Sequence, residues 1–320
     1  MIDHVIVMAS STGQGMEALT RTRPKAMLPL VGMPMIARVM DGYYKAGIRR
    51  FTVVVGEKEG AAAAWLSTQW HTDVRLQFAP QGHQRGTAAT LFATRALIDA
   101  PVIVAPCDVL VPEEHVKKLA LYFETHPSDV AVLSLFYAPD EIGQGASVFL
   151  DPRGNVMYIS ESPTGAHQDN MTALPVYGFT PHVLEFLDRV PVMEDSGERV
   201  MATAIQSMID GGQVVGALET GWRTHINVPD DILTASILLM AGYEQSVLNS
   251  SIPDTVTIVP PVHIDSGVTI TAGAVIGPNV YLETGTVIGA NTQVSEAVIL
   301  ARRIGPGVII QREVVNQDRA

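Results

Sequence analysis

The stretch Val7–Leu28, VMASSTGQGMEALTRTRPKAML, leaves a short apolar run and at once meets small residues. Ala9, Ser10, Ser11 and Gly13 carry little bulk, so a loop there could wrap a phosphate. Pro24-Lys25 near its end supplies a cation. A second place for chemistry is Asp108, at the end of PVIVAPCD. It leaves the carboxyl end of a buried-strand pattern, where open α/β sheets bind ligands. Cys107 beside it has no evident basic neighbour and reads as packing at the strand end.

The elements that must position these residues alternate. His4–Ala9, Phe51–Val55, Val74–Phe78, Val102–Ala105 and Val130–Phe136 read as strands. Pro34–Ala46, Ala61–Trp70, Thr87–Ile98 and Glu113–Thr125 read as helices between or after them. That order predicts βαβ units and a Rossmann-like, mostly parallel α/β sheet. Asp230–Leu248 reads as a linking helix, with Asp230 and Asp231 capping its start, and NSSIP at Asn249–Pro253 as the boundary. The expected domains are 1–250 and 251–320.

From Val256 the pattern changes to a period of six. The third place of each hexad is Ile258, Ile264, Ile270, Ile276, Leu282, Ile288, Val294 and Leu300. Gly267, Gly273, Asn279, Gly285 and Asn291 close hexads with residues that tolerate φ > 0 at tight corners. This predicts a short parallel β-helix whose coils bury the aliphatic ladder. With so few coils, its open face needs a cover from the first domain or another subunit. The only histidine of the array, His263, reads as a structural edge position, which argues against acyl transfer.

Composition bounds the rest. A chain of 320 residues with 47% hydrophobic and 17% charged residues can bury a large core. The net charge of −12 argues against nucleic acid and anionic membranes as partners. One cysteine, no basic n-region and no long apolar run fit a cytoplasmic protein.

Together these features resemble the sugar-phosphate nucleotidylyltransferases, which join a nucleoside triphosphate to a sugar 1-phosphate and release pyrophosphate. Met8–Thr20 lies in register with that family's L-A-G/A-G-x-G-T-R-L/M-x-P-L-T loop. Pro24-Lys25, Leu28-Pro29 and Gly32-Met33-Pro34 follow at the family spacing. The resemblance implies a left-handed β-helix and a nucleotide site of Ala9, Ser10, Ser11, Gly13, Gln81, Gly86 and Thr87. Gln81, Gly86 and Thr87 match the segment that reads the base. It also implies phosphate binding by Lys25, Mg2+ on Asp108, and sugar contacts from Glu161 and Tyr177.

Three family charges are missing. Gly15 stands where the family has arginine, Ser162 where it has the sugar-phosphate lysine, and His225 where it has the second metal aspartate. Neutral imidazole is a poor Mg2+ ligand. Arg21 and Arg23 could reach in for the arginine, but both read first as solvated loop charges. Two expectations follow: a nucleotidylyltransferase with a degenerate site, or a weak or inactive homologue that binds a nucleotide or nucleotide sugar. The second would regulate or assemble with an active paralogue. Either would form homo- or hetero-oligomers through the β-helix.

Overall fold

Strands buried on both faces read as unbroken aliphatic runs, and HVIVM, RFTVVV and VIVAP do so. His4–Met8 (β1), Arg50–Val55 (β2), Arg75–Pro80 (β3) and Val102–Pro106 (β4) pair in parallel in the order β4-β1-β2-β3. Met35–Lys45 (α1), Gly60–Gln69 (α2) and Thr87–Ala93 (α3) connect them, and Glu113–Thr125 (α4) follows β4. These coordinates are a computed structural model that describes all residues except 11–12, 84, 138–144, 162–170 and 194–195. Ser11 and Ser162 of the expected site therefore lie outside the described residues.

The expected helix Thr87–Ile98 stops at Ala93 and continues as a 3-10 turn, Arg95–Leu97. Thr94 causes the break: its Oγ1 donates to the Leu91 carbonyl at 2.7 Å, competing with the helical ladder.

Beyond β4 the sheet becomes mixed. It adds Ala131–Tyr137 (β5), Ala146–Leu150 (β6), Val156–Ser160 (β7), Met171–Phe179 (β8) and Val215–Glu219 (β9). β8 runs antiparallel to β4, β5 and β6, and β9 parallel to β5. The register of β8 on β5 shifts between Ala173 and Tyr177, around Pro175, which has no N–H for the ladder. The sheet is thus parallel where it carries the expected ligand edge. Helix Met201–Asp210 (α5) packs on β7 and contributes Ile205 and Met208 to the core with Val104, Leu133 and Phe179.

The chain forms two units, Met1–Ser11 with Val39–Arg223, and Thr12–Arg38 with Thr224–Ala320. The second holds the parallel β-helix. Ile258 pairs with Ile276 and that with Val294, and Ile264 pairs with Leu282, each eighteen residues on, or three hexads. The ladder from Ile264 to Val294 is buried. All five expected corners, Gly267, Gly273, Asn279, Gly285 and Asn291, have positive φ.

The hexads then slip. Ile299, not Leu300, pairs with Leu282, because Glu296 turns the corner at φ 45° and closes the coil a residue early. Leu300 is still buried, outside the ladder. Helix Pro229–Met240 (α6) is shorter than expected; Gly242 lies just past its end, and Val247–Leu248 already pairs with His263-Ile264 as β-strand. α6 packs on the strands Gln293–Ile299 and Ile309–Val315, so that face is covered from within its own unit. Among the described residues no helix is long and apolar enough to cross a membrane.

Candidate functional site

In the first unit the carboxyl ends of β1, β2 and β3 meet. Ala9 stays in the ladder, its N–H donating to the Val54 carbonyl at 2.9 Å, and Gln81 does the same to Val55 at 2.8 Å. A Cβ added to Gly56, the residue after β2, would lie 3.4 Å from Gln81 Oε1 and 3.6 Å from Ser10 Cβ. Ser10 and Gln81, two residues of the expected nucleotide site, are therefore neighbours across one small glycine.

Glu59 holds that glycine. Its Oε2 accepts the Gly56 N–H at 3.0 Å, and burial pushes its carboxyl above the usual carboxylate range. Sequence reasoning missed both residues; a glycine directly after FTVVV was the available signal.

Gly86 and Thr87 serve a latch. Gly86 has φ +99°, and a Cβ there would overlap the Arg199 carbonyl oxygen and lie 2.7 Å from the Arg199 nitrogen. The Arg199 N–H donates to the Arg85 carbonyl at 2.9 Å, and the Ala88 N–H to the Arg199 carbonyl at 3.0 Å. Thr87 Oγ1 accepts the Met201 N–H at 2.9 Å, which satisfies the first turn of α5. The partner strip lies over a hundred residues away in sequence, so a linear motif gave no sign of it.

The latch strip also holds Glu198, which lies near Glu161, one of the residues expected at a sugar site. Glu161 follows β7 and is exposed by area, yet desolvation by its neighbours raises its carboxyl above the ordinary range, with the Glu198 charge adding to it. Tyr177, buried on β8, has its hydroxyl pushed up by burial and then by Glu161. Glu161 thus lies within electrostatic reach of both Tyr177 and Glu198. Asp108 is buried just beyond β4, where the Cys107 N–H still donates to the Met8 carbonyl at 3.0 Å. Cys107 is buried, as expected.

The second unit holds the rest. Gly13 turns with φ +70° beside Thr20, and the Met16 N–H donates back to the Gly13 carbonyl at 3.0 Å. Lys25 is buried, 4% exposed, in a single 3-10 turn set by Pro24. Gly15 has φ +81°, and a Cβ there would lie 2.9 Å from the Asn227 carbonyl oxygen. Asn227 cannot yield easily: its N–H and that of Val228 both donate to Asp231 Oδ2, at 2.7 and 2.8 Å. Asp231 so caps α6, as expected. Glycine at position 15 therefore suits the backbone there.

Arg23 is ion-paired rather than a solvated loop charge. Both its terminal nitrogens bind the Glu283 carboxylate, Nη2 to Oε2 at 2.9 Å, and this pairing raises its pKa. Arg21 is exposed. His225 is half-buried on the strand Thr224–His225. His263 has both ring nitrogens engaged, Nδ1 with the Tyr243 hydroxyl at 2.9 Å and Nε2 with Asp265 Oδ1 at 3.2 Å, which fits its expected structural role.

Among the described residues no group of three or more His, Cys, Asp or Glu side chains is arranged to hold a metal. One carboxylate is still a workable donor for Mg2+ when substrate phosphates supply other ligands, and Asp108 is of that kind.

The sequence pattern of the family described as nucleotidyl transferase matches residues 4–231. The bifunctional protein GlmU of Methanocaldococcus jannaschii is 23% identical over 262 residues, 82% of this chain and 60% of that protein. The chain thus spans less than two thirds of that relative. The UTP–glucose-1-phosphate uridylyltransferase AglF of Haloferax volcanii is 24% identical over 227 residues, 71% of this chain and 92% of that one. A solved UDP-glucose pyrophosphorylase complexed with UDP-glucose aligns with a TM-score of 0.66 at 17% identity, over 76% of this chain and 100% of the other. At that identity the likeness is one of fold.

Proposed function

Because the chain belongs to the nucleotidyl transferase family, we propose that it binds a nucleoside triphosphate or nucleotide sugar and turns it over slowly or not at all. The observation that supports the second half is Gly15, whose left-handed backbone and tight approach to Asn227 would strain any side chain there, the family arginine included. Phosphoryl-type transfer rests on positioning and charge stabilisation, and an arginine on the transferred group is worth about 10³–10⁵ in rate. Arg23 is spent on Glu283.

In the reaction open to this fold, an oxygen of the sugar 1-phosphate attacks the α-phosphorus. The bond to the bridging oxygen breaks and pyrophosphate leaves. Lys25 would neutralise phosphate charge, and Asp108 would hold Mg2+. The metal, when bound, would screen the phosphate oxygens from one another. Ala9, Ser10, Ser11 and Gly13 would receive the triphosphate, Gln81, Gly86 and Thr87 the base, and Glu161 and Tyr177 the sugar. The relatives named for uridylyl transfer and for a UDP-glucose complex make uridine nucleotides and glucose 1-phosphate the first ligands to try.

The test pairs pyrophosphate release with thermal-shift stabilisation over a panel of triphosphates and sugar 1-phosphates. Binding at a hundred times Kd adds about 2.7 kcal/mol, ample for detection. Stabilisation without pyrophosphate supports a sensor that would assemble through its β-helix with copies of itself or an active paralogue. Turnover at family rates that Asp108→Ala abolishes would overturn the proposed deficit.

A further inference from the structure

The segment Thr12–Arg38, which carries Gly13 and Lys25, belongs to the same unit as the β-helix. Its anchors lie on both sides of Lys25. Two residues before it, Arg23 meets Glu283 with two parallel hydrogen bonds. Such bidentate pairing fixes direction as well as distance. The pair is largely shielded, with 30% and 19% of the two side chains exposed, so water weakens it little. Glu283 is itself set at the end of the strand Val280–Leu282, its N–H donating to the Ile299 carbonyl at 3.0 Å.

After Lys25, the turn Val31-Gly32 closes a short hairpin of Pro29–Leu30 on Met33–Pro34. A Cβ on Gly32 would lie 2.5 Å from His263 Nε2, so the hairpin rests directly on the first coil. His263 is held by Tyr243 and Asp265, and Asp265 by the Tyr281 hydroxyl at 2.7 Å. Before Arg23, Asn316 Nδ2 donates to the Ala18 carbonyl at 2.9 Å.

We propose that Glu283 is a positioning residue for phosphate binding: through Arg23 it fixes the turn that presents Lys25, so the β-helix is the bed on which the triphosphate-gripping segment is set. Pro24, rigid between Arg23 and Lys25, transmits the constraint. This rests on the proposed role of Lys25 in phosphate binding. Glu283 touches no ligand in this scheme, and its effect passes entirely through Arg23.

The experiment has two arms on the full chain. Hydrogen exchange of the ligand-free protein reads the anchoring, and titration with the nucleoside triphosphate panel reads the consequence. Glu283→Gln removes the charge at constant size. It should raise exchange in residues 13–28 and weaken triphosphate binding about tenfold, while exchange in the first unit stays unchanged. The exchanged pair Arg23→Glu with Glu283→Arg should restore both. Arg312→Ala, which removes an exposed β-helix ion pair with Glu296, should change neither. Unchanged exchange in residues 13–28 overturns the proposal, as does unchanged affinity in a protein whose wild type binds. A wild type that binds no member of the panel defeats the functional reading, and the exchange arm still decides the anchoring.

Discussion

Gly15→Arg restores the residue of the family loop and should fail to restore its chemistry. The cost can be worked from the geometry. A side chain at φ +81° loses about 1–2 kcal/mol relative to glycine. Its Cβ would press on the Asn227 carbonyl at 2.9 Å, and relief means moving the Asn227-Val228 backbone. That motion strains two hydrogen bonds to Asp231, a helix cap worth about 1 kcal/mol. The expected loss is roughly 2–4 kcal/mol in urea denaturation followed by circular dichroism. Gly15→Ala should show most of it, since the cost begins at Cβ. Pyrophosphate release should stay at the wild-type level in both. A Gly15→Arg protein of wild-type stability that gains a thousandfold in turnover would refute the reasoning, since the loop would then be indifferent to what it carries.

Gly86→Ala should cost several kcal/mol and loosen α5 as well as the loop, because the added carbon collides with the Arg199 backbone; hydrogen exchange across Met201–Asp210 reports it. Gly216→Ala places a carbon 2.6 Å from Tyr122 Cζ and displaces the hydroxyl from its 2.6 Å bond to Asp129, for a loss of about 2–4 kcal/mol in denaturation. His4 and His115 are buried, and desolvation, aided at His4 by Arg50, lowers each pKa from 6.5 to about 4. Unfolded histidines take up protons before folded ones do, so stability is whole above pH 6.5 and falls as pH drops toward 4. The loss reaches about 3 kcal/mol per residue. Denaturation midpoints at pH 7.5 and 4.5 should differ accordingly, less so in His115→Gln.

Period carried most of the fold. A six-residue aliphatic repeat leaves few architectures, and the buried ladder with its five positive-φ corners follows from it. Local pattern also placed β1, β2 and β4, whose buried central residues on both faces leave a largely apolar signature, and the more exposed β3 beside them. It could not show that β8 runs backwards, because strand direction depends on connections rather than on composition. In the site, register put Ser10 and Gln81 on one edge, and the structure brings them together at Gly56. What stayed hidden depends on distant partners: Arg199 against Gly86, Asn227 against Gly15, Glu283 against Arg23. Each pairs residues separated by a hundred positions or more, and no linear motif encodes that separation. The resemblance marked Gly15 only by its type; that glycine also fits a particular turn there was not visible.

The grouping of residues 12–38 with the C-terminal unit has a consequence for how the protein is made. A chain emerging from the ribosome delivers Lys25 about 290 residues before Asn316. At about 10 residues per second, roughly half a minute separates the two. Through that interval β1 and its neighbours can assemble, while the excursion between β1 and α1 waits for coils not yet translated. The anchoring of residues 12–38 then arrives as a late event, and a message cut short would leave that segment without its partners in the later coils.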